Sequence, residues 1–424
     1  MSYGFQRVFF LFYCLAYCWP GLGAESNLLV ARQWIKLEFN FPDEETKQIA
    51  LTKGHYVPGK STPIDVDVQY THDTLSPRIF VTTPRTGEGT PVTLGTVDEM
   101  GKISAYPNYS WHENQGQNCE GLTSVFRTAI DECNRLWVMD TGKIGRTEYC
   151  PPQLLAFDLH DDSLVFRHQF NKSVYTPQSL FVTPVVDVRP GDCGDTYVYV
   201  ADVHGHSLTV VDVARERSWR VIHSTFSPEP SRENITIEGV TISLLDGVVG
   251  MALSPWSSNR DRSLYFHAIS STKENVVRTS VLKNDSFMAD PNVDPKLIST
   301  FPGERSNQSA AEAMDLNGIM YFGLMNPPSI WSWNSATEYN QSNFYQVALD
   351  RETLQFASGI KVINNLEGEQ ELWVLTSSLQ KVRNGSLSTN SPNFRIHTEK
   401  IPVILANSPC LSPPKNWSPG YHAN

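Results

Sequence analysis

Six short apolar runs, each bearing an aromatic or β-branched centre, recur along the chain and limit what it can fold into. They are RIFVTTPR (Arg78–Arg85), RLWVMDTG (Arg135–Gly142), TYVYVADV (Thr196–Val203), SLYFHAIS (Ser263–Ser270), IMYFGLMN (Ile319–Asn326) and ELWVLTSS (Glu371–Ser378). With Phe80, Trp137, Val198, Tyr265, Tyr321 and Trp373 as markers, the steps are 57, 61, 67, 56 and 52 residues. A unit of about 50 residues holding several short strands is the signature of a propeller blade. Six units predict an all-β, six-bladed β-propeller, whose ligands bind where loops and strand ends meet the central channel.

Each unit has more than one strand. Upstream of the six runs lie IDVDVQY, LTSVFRTAID, TPVVDVR, VVGMALSP, AAEAMDL and ASGIKVIN, separated from them by turns such as DECN (Asp131–Asn134), PGDCGD (Pro190–Asp195) and DLNG (Asp315–Gly318). Downstream, QLLAFDL, HSLTVVDV and SIWSWN read as third strands. Period-2 alternation bounded by turn residues supports this reading. A large β-sandwich or two β-domains is the alternative, although sandwiches do not repeat one strand phrase at this spacing.

Residues 1–24 read as a secretory leader: Arg7, the apolar stretch Val8–Trp19, then small residues at Gly21, Gly23 and Ala24. An uncleaved anchor is the alternative, but the apolar run is short for a span and no later stretch reaches about 20 apolar residues. The propeller is then expected over 25–411, with a Pro-rich disordered tail over 412–424. The net charge of −11 becomes −12 without Arg7, which argues against a nucleic-acid partner because phosphate binding needs clustered Lys and Arg. No membrane partner is expected after cleavage. Beyond the leader's Cys14 and Cys18, five cysteines remain. Cys119, Cys133, Cys150 and Cys193 fall close together and predict two disulfides in an exported protein, with three pairings open; Cys410 is left over. Zinc is disfavoured by the lack of a Cys-x-x-Cys spacing. Glycosylation sequons start at Asn108, Asn171, Asn234, Asn284, Asn307, Asn340, Asn384 and Asn416, mostly in predicted loops.

No nucleophile elbow, zinc-protease helix, P-loop or dinucleotide fingerprint is present, so no cofactor or metal is expected and no catalytic residue stands out. GEGTPVTLG (Gly87–Gly95) reads as a loop. In DVHGHS (Asp202–Ser207), His204 and His206 could ligate a cation with Asp202, but Gly205 points to a polar turn. Asp140 and Asp202 close their runs at equivalent places, so they are candidates to face one ligand from neighbouring blades. The competing role is to accept hydrogen bonds from turn backbone. The other blades offer Thr82 or Thr83, Ala268, Leu324 and Thr376 there. One acidic side among apolar and hydroxyl groups would suit an amphiphilic organic cation. Trp137, Tyr265 and Trp373 are expected between blades rather than at a ligand.

ARQWIKLEFNFPDEE (Ala31–Glu45), LTSVFRTAIDECNRLWVMDTG (Leu122–Gly142), CPPQLLAFDL (Cys150–Leu159), TYVYVADVHGHSLTVVDV (Thr196–Val213) and LQFASGIKVINNLEGEQELWVL (Leu354–Leu375) resemble the Yellow and major royal jelly protein family of insects, from about Val30 to Cys410. The resemblance implies a secreted six-bladed propeller. Roles in that family range over pigmentation, dopachrome conversion, eggshell or cuticle stabilisation, nutrition and capture of biogenic amines. In amine-binding members, an Asn and an aromatic residue after the last-blade strand contribute to the site. Ser377 and Leu379 stand at those positions here, which removes an amide and a cation–π partner. The family often has Cys where Ser332 stands, which the resemblance links to an unpaired Cys410.

These readings make the chain a secreted protein of pigmentation or of cuticle and eggshell maturation, binding a biogenic amine or a catechol- or indole-derived ligand. One alternative is a dopachrome-converting tautomerase using Asp140, Asp202 and His204 or His206; another is a structural or nutritional protein without a small ligand. The segment Leu28–Phe41 is expected to add a strand to the last blade and close the ring.

Overall fold

The computed structural model describes residues 27–72, 76–258, 261–288 and 295–406. The proposed leader, Cys410, Asn416 and the proposed tail lie outside the described residues.

Six sheets of four or five strands follow one another along the chain as the blades of a β-propeller, and two two-stranded hairpins are added among the described residues. From the axis outward, blade 1 holds Asp65–Gln69, Arg78–Thr82, Leu94–Val97 and Ile103–Ala105. Blade 2 holds Val125–Ile130, Arg135–Asp140, Gln153–Asp158 and Leu164–Gln169; blade 3 holds Phe181–Arg189, Asp192–Asp202, Ser207–Asp212 and Arg217–Ile222. Blade 4 is Val248–Leu253, Ser263–Ala268, Lys273–Arg278 and Ile298–Glu304; blade 5 is Glu312–Met314, Ile319–Met325, Pro328–Asn334 and Phe344–Leu349. Blade 6 takes Ala357–Asn364, Gln370–Ser377 and Phe394–Lys400 from the end of the chain and Leu29–Trp34 from its beginning.

The six repeated runs are the second strands of the six blades. These strands are covered on both faces by adjacent blades, so they read as continuous apolar stretches rather than alternating ones. Trp137 packs with Val198, Val200 and Val211 of blade 3, Tyr265 with Met320, Phe322 and Trp333 of blade 5, and Trp373 with Val66, Val68 and Val81 of blade 1. The core is thus a series of interblade layers, and the aromatics are its spacers.

The N-terminal segment fastens the ring at two points. Leu29–Trp34 runs antiparallel to Phe394–Lys400, with Trp34 opposite Phe394. Phe39–Asn40 then pairs in parallel with Ile103–Ser104 at the outside of blade 1. The Trp34 indole N–H donates to the Gly101 carbonyl at 2.6 Å, and Asn393 donates its side-chain amide to Ile35 O at 2.7 Å. Two disulfides bind the neighbourhood of blade 2. Cys119–Cys150 joins the loop entering that blade to the loop after its second strand, and Cys133–Cys193 ties its first turn to the matching turn of blade 3.

Candidate functional site

The loops that enter each innermost strand and the loops that follow each second strand emerge on one face, here the upper face. Asp140 and Asp202 both sit there, fully buried, and both hold the loop that enters their own blade. Asp140 accepts from the backbone N–H groups of Thr123 (2.8 Å), Ser124 (2.7 Å) and Gly142 (3.1 Å), and from the Gln153 amide at 3.2 Å. Burial pushes its carboxyl up; these donors act in the opposite sense by favouring the charged form. Asp202 accepts from Leu180 N–H (2.9 Å), Gly205 N–H (2.8 Å) and the Ser179 hydroxyl. Each carboxylate is an anchor of upper-face backbone. DVHGHS is a turn: His206 has φ +48° and the exposed His204 ring pairs with Asp246 at 3.1 Å.

Asp140 belongs to a larger knot. The guanidinium of Arg85, 1% exposed, donates to five backbone carbonyls: Thr90 (2.9 Å), Pro91 (2.9 Å), His112 (3.0 Å), Leu122 (2.9 Å) and Thr123. The backbone of Thr123 therefore links the two charges, its C=O on Arg85 and its N–H on Asp140. Burial lowers the Arg85 pKa to about 10, which leaves the group charged at neutral pH, and Asp140 supports that charge. Gly142 sits beside this knot at φ +68°, where a Cβ would fall 2.0 Å from Cys150 O. The RLWVMDTG phrase thus ends in glycine because the backbone carrying the disulfide crosses it.

His112 completes the knot as a neutral ring. Its Nδ1 accepts from Thr93 N–H at 3.2 Å, while Nε2 stands 2.8 Å from Tyr106 O, so Nε2 carries the proton. Burial, with Arg85 beside it, depresses its pKa to about 3. The sign follows from the unfolded chain, which takes up a proton near pH 6.5 when the folded one does not. His112 therefore contributes stability that is full above about pH 6.5 and is lost toward pH 3. A His112→Asn variant should be less stable at pH 7.5, and the gap should narrow by roughly 1.4 kcal/mol per pH unit below 6.5. Urea titrations at pH 7.5 and 5 check this. Asp67 and Asp315, whose carboxyls burial raises to about 6, act in the opposite sense and drop out of the difference. A gap independent of pH would rule out the neutral buried ring.

An inserted hairpin packs on the upper face. Between blades 3 and 4 the chain inserts a hairpin, Asn234–Ile237 with Val240–Ser243. Its Ile235, Ile237 and Ile242 are buried in one cluster with Val182, Val249, Met251, Met325 and Phe356, and Phe126 and Leu379 pack against it. Blades 2 to 6 all contribute to this cluster. Gln308 of the loop entering blade 5 donates to Arg232 O and Asn234 O at the hairpin's base, and Arg351 pairs with Glu238 at its tip. The blade 6 phrase identified above lies against it. Leu379 starts the short helix Leu379–Asn384, and the buried Ser377 hydroxyl and Gln380 Oε1 have no hydrogen-bond partner among the described residues. Gln380 and Ser378 both donate to Gln355 Oε1, at 2.8 and 3.3 Å.

Charge lies elsewhere on the innermost strands. Each innermost strand turns an unpaired edge to the axis, and neighbouring side chains satisfy it. Asp65 accepts from Thr128 N–H (3.1 Å) and Asp67 from Ile130 N–H (3.0 Å). Lys361 donates to Thr128 O and pairs with Asp65 at 3.1 Å, while Arg127 and Thr183 both donate to Val249 O. Sequence reasoning missed this belt. Its one signal was IDVDVQY, where alternation sets Asp65 and Asp67 on one face of an innermost strand.

Of the sequons, Asn108, Asn171, Asn234, Asn284 and Asn384 are exposed and Asn307 and Asn340 are half-buried.

A six-bladed ring closed by its N-terminal strand, with a hairpin inserted between blades 3 and 4, defines the chain as a six-bladed β-propeller. The family model of the major royal jelly proteins matches residues 123–410. The chain is 33% identical over 407 residues to major royal jelly protein 9 of Apis mellifera, covering 92% of this chain and 91% of that one. It therefore belongs to the major royal jelly protein family, which the sequence phrases had pointed to. It is also 31% identical over 403 residues to dopaminechrome tautomerase of Drosophila melanogaster (92% and 85% covered), and 29% identical over 388 residues to protein yellow of Drosophila melanogaster (89% and 69%).

Proposed function

We propose that this protein works outside the cell in pigmentation or in cuticle and eggshell maturation, binding one small catechol- or indole-derived metabolite at the upper mouth of the channel. The observation that carries the reading is the apolar cluster of Leu379, Phe126, Phe356 and the hairpin isoleucines, together with the adjoining blade 6 turn, whose buried Ser377 Oγ and Gln380 Oε1 have no hydrogen-bond partner among the described residues. A flat ring with hydroxyl or amine substituents matches an apolar wall with a few placed polar groups. The two disulfides suit an oxidising compartment.

Isothermal titration with dopamine, octopamine, serotonin and a dopachrome analogue tests it. One-to-one binding to a member of that panel is expected, weakened about 3- to 10-fold in Ser377→Ala by loss of one hydrogen bond. No binding across the panel would overturn the reading and favour a structural role. Turnover of an aminochrome is a second reading, favoured by the 31% identity to the dopaminechrome tautomerase. Conversion by the purified protein would decide for it.

A further inference from the structure

Two carboxylates and an imidazole converge in a dry site between blades 4 and 5. His267 lies on the second strand of blade 4, Glu274 on its third, and Glu312 at the start of the innermost strand of blade 5; none of the three side chains is exposed. Space for the ring is built in, since a Cβ on Gly250 would fall 2.3 Å from the imidazole. Nδ1 of His267 stands 3.1 Å from Glu274 Oε2 and 3.0 Å from Glu312 Oε2, and the three atoms all lie within 4.8 Å of one another.

A ring nitrogen carries at most one hydrogen, so it cannot serve two carboxylates equally. His267 hydrogen-bonds Glu274. Both oxygens of Glu312 then have no hydrogen-bond partner among the described residues, nor do Glu274 Oε1 and His267 Nε2. Buried carboxylate oxygens are normally paired or coordinate a metal. Ligand atoms around a cation at about 2.0–2.2 Å sit about 3.0–3.5 Å apart, and Nδ1 lies 3.1 and 3.0 Å from the two carboxylates. Arg305 donates to Glu274 Oε2 at 2.6 Å, to the Tyr339 hydroxyl at 2.8 Å and to Lys273 O at 3.0 Å, which holds the carboxylate by the oxygen that faces Nδ1 and leaves Oε1 open.

We propose that His267 Nδ1, Glu274 and Glu312 form a site for one divalent first-row cation of the zinc or manganese class, which takes the place of the shared proton and clamps blade 4 to blade 5. The donor set of one imidazole and two carboxylates suits those ions. Motif spacing could not reveal it, because the ligands come from three strands in two blades.

The test uses the full secreted protein, dialysed against chelator and then titrated with Zn2+ or Mn2+. One equivalent of metal should survive gel filtration, by elemental analysis, and the melting temperature should rise. Glu312→Gln keeps the side-chain shape and should retain no metal and show no rise. His204→Ala, which removes an exposed His–Asp pair, should behave as the parent. Should Glu312→Gln not fold, electron-spin-echo spectra of the Mn2+-loaded parent decide the matter, since one imidazole nitrogen coupled to the ion is expected. No retained metal, a full equivalent retained by a folded Glu312→Gln, or Mn2+ without nitrogen coupling would each overturn the proposal.

Discussion

Arg85→Met is expected to lower stability by about 3–5 kcal/mol, the cost of breaking a buried charge network. Five backbone carbonyls from three loop segments end on this guanidinium, and all lose their donor together. Asp140, still buried, loses the positive charge across the Thr123 backbone. Lysine does not rescue, because an ammonium offers three donors from one point and cannot fork to carbonyls on opposite sides. Denaturant titration of the parent, Arg85→Lys and Arg85→Met checks this. An Arg85→Lys variant within 1 kcal/mol of the parent, on the order of one ordinary hydrogen bond, would show that the fork is not what holds the upper face.

Deleting residues 28–41 should abolish cooperative folding. Leu28, Trp34, Leu37 and Phe39 are all buried in the described structure. Full burial of such side chains stabilises by about 1.5–3 kcal/mol each, so four of them contribute about 6–12 kcal/mol. That matches the whole stability of an ordinary domain, about 5–15 kcal/mol. The deletion also bares the edge of Phe394–Lys400, an open template for association. Calorimetry and gel filtration of the truncated protein should show no sharp transition and soluble aggregates. A monomer with a single cooperative melt would mean that the ring closes without its N-terminal strand.

Much of the ring was legible before the structure, for a physical reason. A strand covered on both faces must be apolar throughout, so RLWVMD or IMYFGLM announces itself locally, and the closing role of Leu28–Phe41 followed from the need to pair an edge. The Cys119–Cys150 and Cys133–Cys193 pairing was not legible, since four cysteines in neighbouring blades are compatible with any partner. For Asp140 and Asp202 the role of accepting turn-backbone hydrogen bonds was legible as one of two readings, but not which backbone they would hold. Their equivalence along the chain was visible, but only the backbone path shows that Thr123, Ser124 and Leu180 turn their N–H groups onto them. The inserted hairpin went unread, because nothing in NITI or VTIS says which blades it reaches.

The double attachment of the N-terminal segment also sets a timetable. The strand that closes the ring leaves the ribosome first, and its partner follows about 360 residues later. At roughly 5–20 residues per second, Trp34 waits about 20–70 s for the strand that will cover it. During that interval the early blades have formed neighbours on one side only, and an apolar strand is held open to any other edge. The newborn chain therefore spends that interval with an open apolar edge, and its yield should depend more on how fast synthesis finishes than on how tightly the finished ring holds together.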